Sequence, residues 1–140
     1  MTTRLLSILL VLVPLEGCST LDILAGPFSE SVSFVVVQDD VRLTRILVEC
    51  EHNEGWVTVW EVAGESSKTV FHYGDTVPGM RTLLEPLDLR PGHICRIDVS
   101  AKAATGRVIS GRNYWGYDSD EVFTCWTLRR CREEWLARIS

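Results

Sequence analysis

Most of this chain is made of short runs in which aliphatic, β-branched and aromatic residues dominate, each closed by a turn signal. The runs are Val32 to Val37, Leu43 to Glu51, Trp56 to Ala63, Thr69 to Tyr73, Arg81 to Leu89, His93 to Ala101, Arg107 to Tyr114 and Val122 to Leu128. Between them lie Gln38-Asp39-Asp40, Asn53-Glu54-Gly55, Gly64-Glu65-Ser66-Ser67, Gly74-Asp75, Pro78-Gly79, Arg90-Pro91-Gly92, Thr105-Gly106 and Gly116-Tyr117-Asp118. Strands of this length at this spacing predict an all-β sandwich or barrel. The expectation is one mostly antiparallel β-sandwich, with no internal repeat or linker to divide it.

Two runs show which way their side chains point. His93, Cys95, Ile97, Val99 and Ala101 alternate with Ile94, Arg96, Asp98, Ser100 and Lys102, the period of two that buries one face of a strand. Ile46, Val48 and Cys50 likewise face away from Arg45, Glu49 and Glu51, with Leu47 as the exception. Trp56 and Trp60 fall on one face of a regular strand, which predicts both in the core. The tail differs: Leu128, Cys131, Trp135 and Ile139 form one helical stripe, so a short amphipathic C-terminal helix is expected. Arg129, Arg130 and Arg132 would then stand at its N-terminal end, against the helix dipole.

The first twenty residues do not belong to this pattern. Arg4 precedes an apolar run from Leu5 to Val13, then Pro14. That is the layout of an export signal, and the run is well short of the ~20 residues needed to span a bilayer. Leu15-Glu16-Gly17-Cys18 resembles the lipobox of bacterial lipoproteins, with Glu16 in place of the usual small or apolar residue. The resemblance implies that Cys18 is acylated and becomes the N-terminus; two or more acyl chains anchor stably where one does not. Ser19 would direct such a lipoprotein to the outer membrane. The expected organisation is a lipoprotein signal peptide over 1–17, a lipidated N-terminus and tether over 18–28, and a sandwich domain over 29–140.

Composition narrows the chemistry. With 46% hydrophobic and 24% charged residues, the chain is that of an ordinary globular domain. A net charge of −5 argues against a nucleic-acid partner, which would call for a basic face. Apart from Cys18, the cysteines are Cys50, Cys95, Cys125 and Cys131, an even set that reads as two disulfides in an exported protein. Cys50 and Cys95 both sit on apolar strand faces, so a bond joining them across the core is favoured, leaving Cys125 with Cys131. Closing the longer loop would stabilise the fold by about 4 kcal/mol on the chain-entropy model. No metal or cofactor is expected, because His52, His93 and His72 are scattered and no C-x-x-C pair is present.

No G-x-S-x-G elbow, H-E-x-x-H helix, Walker loop or dinucleotide fingerprint occurs, which points away from an enzyme and from a small-molecule substrate. Asp39-Asp40 and the Glu49/Glu51 pair read as solvated surface. Aromatic residues are the better candidates for recognition, since they dominate binding hot spots. Tyr114, Trp115 and Tyr117, clustered at a strand end, and Trp135 on the tail helix are the candidate partner-binding residues.

Three resemblances follow. Leu89-Arg90-Pro91-Gly92-His93-Ile94-Cys95-Arg96-Ile97-Asp98-Val99 resembles the L-x-P-G-x-x-Y-x-V-x-V turn and strand of fibronectin type III domains, with Cys95 at the Tyr position. Ile46-Leu47-Val48-Glu49-Cys50 resembles that family's L-x-V-x-W strand. These imply an immunoglobulin-like or fibronectin-III-like sandwich. The whole layout is similar to the β-sandwich pilotin lipoproteins of type III secretion systems: a lipobox, one sandwich, the Gly74 to Gly79 segment leading into a strand, a P-G-H turn and a close terminal cysteine pair. It implies a lipid-anchored, non-enzymatic protein that binds the C-terminal tail of a secretin and assists its outer-membrane targeting, facing the periplasm. Ser110-Gly111-Arg112-Asn113-Tyr114 resembles the S-G-x-x-Y loop of lipoprotein lysozyme inhibitors, which implies inhibition of a muramidase as the rival activity. A purely structural envelope lipoprotein is the third alternative.

Overall fold

The computed structural model describes residues 21–26, 32–53, 55–89, 92–118 and 121–139; the leader, the lipobox and Cys18 lie outside them. Among the described residues, nine strands and one helix follow in order: β1 (Ile23–Gly26), β2 (Ser33–Val36), β3 (Val41–His52), β4 (Gly55–Ser66), β5 (Val70–His72), β6 (Met80–Leu84), β7 (His93–Ala103), β8 (Val108–Asp118), β9 (Glu121–Thr124) and α1 (Leu128–Ile139). They form two antiparallel sheets, β1-β2-β5 and β6-β4-β3-β7-β8-β9. The fold is therefore the mostly β, antiparallel sandwich that the run pattern predicts, with β1, β2 and β5 packed on the larger sheet. The shared core holds Phe34 and Phe71 from the small sheet against Leu43, Ile46, Trp60, Ile97 and Trp115 from the large one.

Two irregularities set which residues face that core. Leu43 opposes Ala101 while Arg45 opposes Ser100, so Thr44 is an extra residue in β3. The inward set changes there from Val41 and Leu43 to Ile46, Val48 and Cys50. In β4, Trp60 opposes Val48 but Thr58 opposes Glu49, so Val59 is the extra residue. A bulge of this kind shifts the alternation by one. Trp60 is buried at 1% exposure, whereas Trp56 is turned to the outer face, opposite Glu51. The regular alternation that would have buried both tryptophans is broken between them.

Cys50 is joined to Cys95, and Cys125 to Cys131. The first pairing is the expected one, but the bond does not cross between layers. Cys50 and Cys95 oppose each other on hydrogen-bonded neighbours β3 and β7, with Cα atoms 4.0 Å apart. That is close to the ~4.5 Å of a non-hydrogen-bonded antiparallel pair, so the disulfide ties two strands of one sheet.

Residues assigned to a tether form part of the domain instead. Leu21, Ile23 and Ala25 are buried, and β1 pairs with β2 from Ile23↔Val36 to Gly26↔Ser33. Asn113, fully buried in β8, donates from Nδ2 to the Ile23 carbonyl at 2.6 Å and accepts from the Tyr114 N–H at 2.8 Å. The Thr124 hydroxyl donates to the Ala25 carbonyl. These bonds carry β1 across to β8 and β9. A Cβ on Gly111 would fall 2.1 Å from the Leu21 carbonyl oxygen, so only glycine lets the entering chain lie so close.

The helix docks on the outer face of β7 to β9. Leu128, Cys131 and Trp135 do share a stripe: Cys131 is fully buried beside Ile94, Phe123 and Cys125, with Leu128 and Trp135 packed against them. The Thr127 hydroxyl caps the first turn by accepting from the Arg130 N–H at 3.2 Å. Arg129 and Arg138 pair with Glu133 and Glu134 one turn away, and Arg132 reaches Glu51 of β3 at 2.6 Å. Phe123 lies flat across Gly116, where a Cβ would stand 2.0 Å from its ring, and stacks on Trp135 at 6.3 Å. Gly116→Ala should therefore push Phe123 off the sheet and destabilise the fold by about 1–3 kcal/mol, read as a lower denaturant midpoint with an unchanged slope.

Candidate functional site

The outer face of the large sheet is largely closed by its own charges. Arg45 meets Glu61 at 2.7 Å, Arg96 meets Glu49 at 3.0 Å, and Arg112 binds both carboxylate oxygens of Asp98 at 2.6 and 3.1 Å. Cross-strand ion pairs with two parallel bonds are the stronger, more specific kind, and the Asp98 bonds hold the Arg112 guanidinium well above its ordinary pKa. Arg96 also covers the Trp56 ring at 4.1 Å, and Trp56 packs against Tyr114 at 6.1 Å. Donors and acceptors here are matched within the sheet.

The open concavity lies at one end of the sandwich, where β3 ends, β7 begins and the segment after β6 crosses over. A cleft of about 440 Å³ is walled by Cys50, Val57, Val59, Leu87 and Leu89, with Glu51, His52, Asp88 and His93 also lining it. Glu51, His52 and His93 also line a second hollow, of about 620 Å³, that extends to Ile94, Arg132 and Trp135. The two imidazoles form the ridge between them, 6.5 Å apart. His93 Nδ1 donates to the Glu51 carbonyl at 3.0 Å; a carbonyl only accepts, so Nδ1 carries a proton. Apolar walls with a few convergent polar groups are the usual make-up of a binding cleft.

The bulge in β4 builds the cleft wall. An extra residue leaves its carbonyl out of the ladder, and a poorly solvated carbonyl must find a donor elsewhere. Val59 O accepts the Leu87 N–H at 2.9 Å and lies 3.0 Å from the Tyr73 hydroxyl, whose single proton is shared between Val59 O and Leu87 O. The same hydroxyl lies 2.6 Å from Leu87 O, while the Tyr73 ring packs edge-on against Trp60 at 5.4 Å. The segment from Glu85 to Leu89 is thus held at the sheet end as a wall, whereas its composition predicts strand through Leu89. The strand stops at Leu84, before Pro86, which has no N–H for a ladder. That proline was the available sequence signal for the wall.

The candidate recognition residues part company. Tyr114 and Trp135 meet in one outer cluster with Trp56, Ile94 and Phe123. Trp115 is fully buried and edge-on to Phe34 at 6.0 Å; it faces the core because it shares the inward parity of Asn113, and it cannot reach a partner. Tyr117 opposes His93 in the ladder. Ser110 to Tyr114 is not a loop: each of its residues pairs with β7, so it is not free to insert into an enzyme. Asp39 and Asp40 occupy the exposed β2–β3 turn, and Glu49 is used by Arg96. Among the described residues, no three His, Cys, Asp or Glu side chains could hold a metal ion, and no helix is long and apolar enough to cross a membrane.

No protein-family model and no curated protein matches the chain. Among solved structures it is similar to murine CRIg, at 13% identity over 69% of this chain and 94% of that one, with a TM-score of 0.40. So distant a likeness carries nothing about activity.

Burial is the main cause that pushes the Tyr73 hydroxyl up to about 12, from an ordinary value of 10; the Leu87 bond opposes it and Asp88 adds to it. A raised pKa favours the protonated form in the folded state. The contribution is complete below pH 10 and is lost as pH rises through 12. Tyr73→Phe should be less stable than the parent by about 1–2 kcal/mol at neutral pH. That difference should shrink between pH 10 and 12 in urea melts.

Proposed function

We propose that this protein is a lipid-anchored, non-enzymatic protein-binding module, a pilotin-like factor that binds the tail of a secretin and assists its assembly in the outer membrane. The observation that carries the proposal is the apolar-walled cleft at the end of the sandwich, open to solvent beside a sheet face whose charges already satisfy one another. An extended segment can lie along Val57, Leu87 and Leu89 and exchange hydrogen bonds with the polar groups around them. β6 offers a second docking element, since it pairs with β4 and, among the described residues, no further strand lies beyond it; addition of a peptide strand to such an edge is a common recognition mode. Acyl chains on Cys18 would then commit the bound partner to the membrane, so that recognition and anchoring together make the activity. Two disulfides accord with an oxidising compartment such as the periplasm.

Val57 and Leu87 are 44% and 48% exposed, so a charge can be placed on either without disturbing the core. Immobilised secretin C-terminal peptide should retain the wild-type protein and leave lysozyme active. Leu87→Asp and Val57→Asp should bind at least about tenfold more weakly, equivalent to ~1.4 kcal/mol, at unchanged melting temperature. Equal retention of both variants counts against the cleft, and loss of lysozyme activity counts against the whole reading. Cys18→Ser should leave the membrane fraction; a variant that still floats with membranes on its own removes the lipid anchor from the proposal.

A further inference from the structure

We infer that the sandwich rests directly on the lipid bilayer through the end that carries the β2–β3 and β7–β8 turns, with the cleft held at the far end, pointing away from the membrane. This rests on acylation of Cys18. The starting point is Leu21, which belongs to the rigid fold: its side chain is 3% exposed, its N–H donates to Ser110 O at 3.1 Å, and its backbone presses on Gly111. Cys18 precedes it by three residues, and three residues reach at most about 11 Å. An acylated Cys18 sits at the level of the lipid headgroups. The domain surface around Leu21 must then lie within about that distance of them.

The strand register says which surface this is. Ser110 stands two residues inside the start of β8, and Val108 opposes Lys102 next to the β7–β8 turn. Val41 opposes Ala103, which brings the β2–β3 turn to the same end. Val37 donates its N–H to Asp22 O at 2.9 Å, directly beside the entry to β1. Val37 and Val108, 53% and 65% exposed, are aliphatic side chains held outward at this end. The turns carry both signs of charge, Asp39 and Asp40 with Arg42 and Arg107. The chemistry therefore suits a phospholipid surface contacted through a short leash and aliphatic groups, rather than an anionic patch gripped by basic residues.

His52, His93 and the cleft occupy the opposite end. β7 runs eleven residues from His93 to Ala103, a span of about 33 Å at the usual strand rise. A partner's tail would be engaged roughly that far above the membrane.

The test uses the chain made with its own leader, purified from membranes and placed in phospholipid nanodiscs that contain gadolinium-chelating headgroups. Amide signals of Val37, Gly106 and Val108 should be broadened several-fold more than those of His52, His93 and Trp135. Equal broadening at both ends, or stronger broadening at His52 and His93, overturns the orientation. Inserting twelve Gly/Ser residues after Ser19 lengthens the leash by an r.m.s. of about 19 Å and should erase the difference; an unchanged pattern shows that the leash does not set it and overturns the argument. Intact mass reports acylation of Cys18. In a second preparation that starts at Cys18, this thiol is coupled to a maleimide lipid, since the other four cysteines are paired with one another. An unacylated mass with the polarised pattern kept in the coupled sample refutes the lipobox reading and leaves the orientation standing.

Discussion

The extra residue at Val59 is the constraint from which the site follows. One additional residue in β4 turns Trp60 into the core and Trp56 out of it. It also leaves the Val59 carbonyl without a ladder partner. The Leu87 N–H supplies the missing donor, and the Tyr73 hydroxyl bridges the Val59 and Leu87 carbonyls, so that an otherwise irregular segment is held against the end of the sheet. The cleft is the space between that segment and the ends of β3 and β7. A backbone accounting requirement and the wall of the cleft are thus the same feature.

A second constraint orients the molecule. Asn113 is a buried amide that spends its donor on β1 and its acceptor on its own strand. A buried polar group is tolerable only when its bonds are made, so the amide specifies where β1 must run. Leu21, the first described residue, then lies at the end opposite the cleft. If the anchor precedes this point by three residues, attachment and recognition are separated by the full length of the strands.

The outer sheet face contributes by being closed. Charge pairs across β4, β3, β7 and β8 neutralise one another, Arg96 covers Trp56, and α1 covers Ile94 and Phe123 through Trp135 and a short disulfide loop. Tyr114 and Trp135 are consumed in this cover. A sheet that satisfies its own face leaves its ends and β6, an edge strand among the described residues, as its open features.

Local chemistry was legible in the sequence wherever it depended on spacing alone. The strand runs, their turns, the alternation through β7 and the helical stripe of Leu128, Cys131 and Trp135 follow from period and composition. The sandwich follows from the number and spacing of those runs. Features decided by contacts between distant residues were not legible. A bulge at Val59 leaves no mark in composition, so Trp56 and Trp60 looked equivalent. Trp115 looked exposed because its neighbours are polar and aromatic, yet parity with Asn113 turns it to the core. Cys50 and Cys95 paired as their apolar faces suggested, but only the neighbouring of β3 and β7 made the bond one within a sheet. β1 is four residues long and gains its stability from β2 and from Asn113 and Thr124, the last two remote in sequence. Spacing along a chain reports which way a side chain points within its own strand; which strand lies opposite, and in what register, is settled by the packing of the whole.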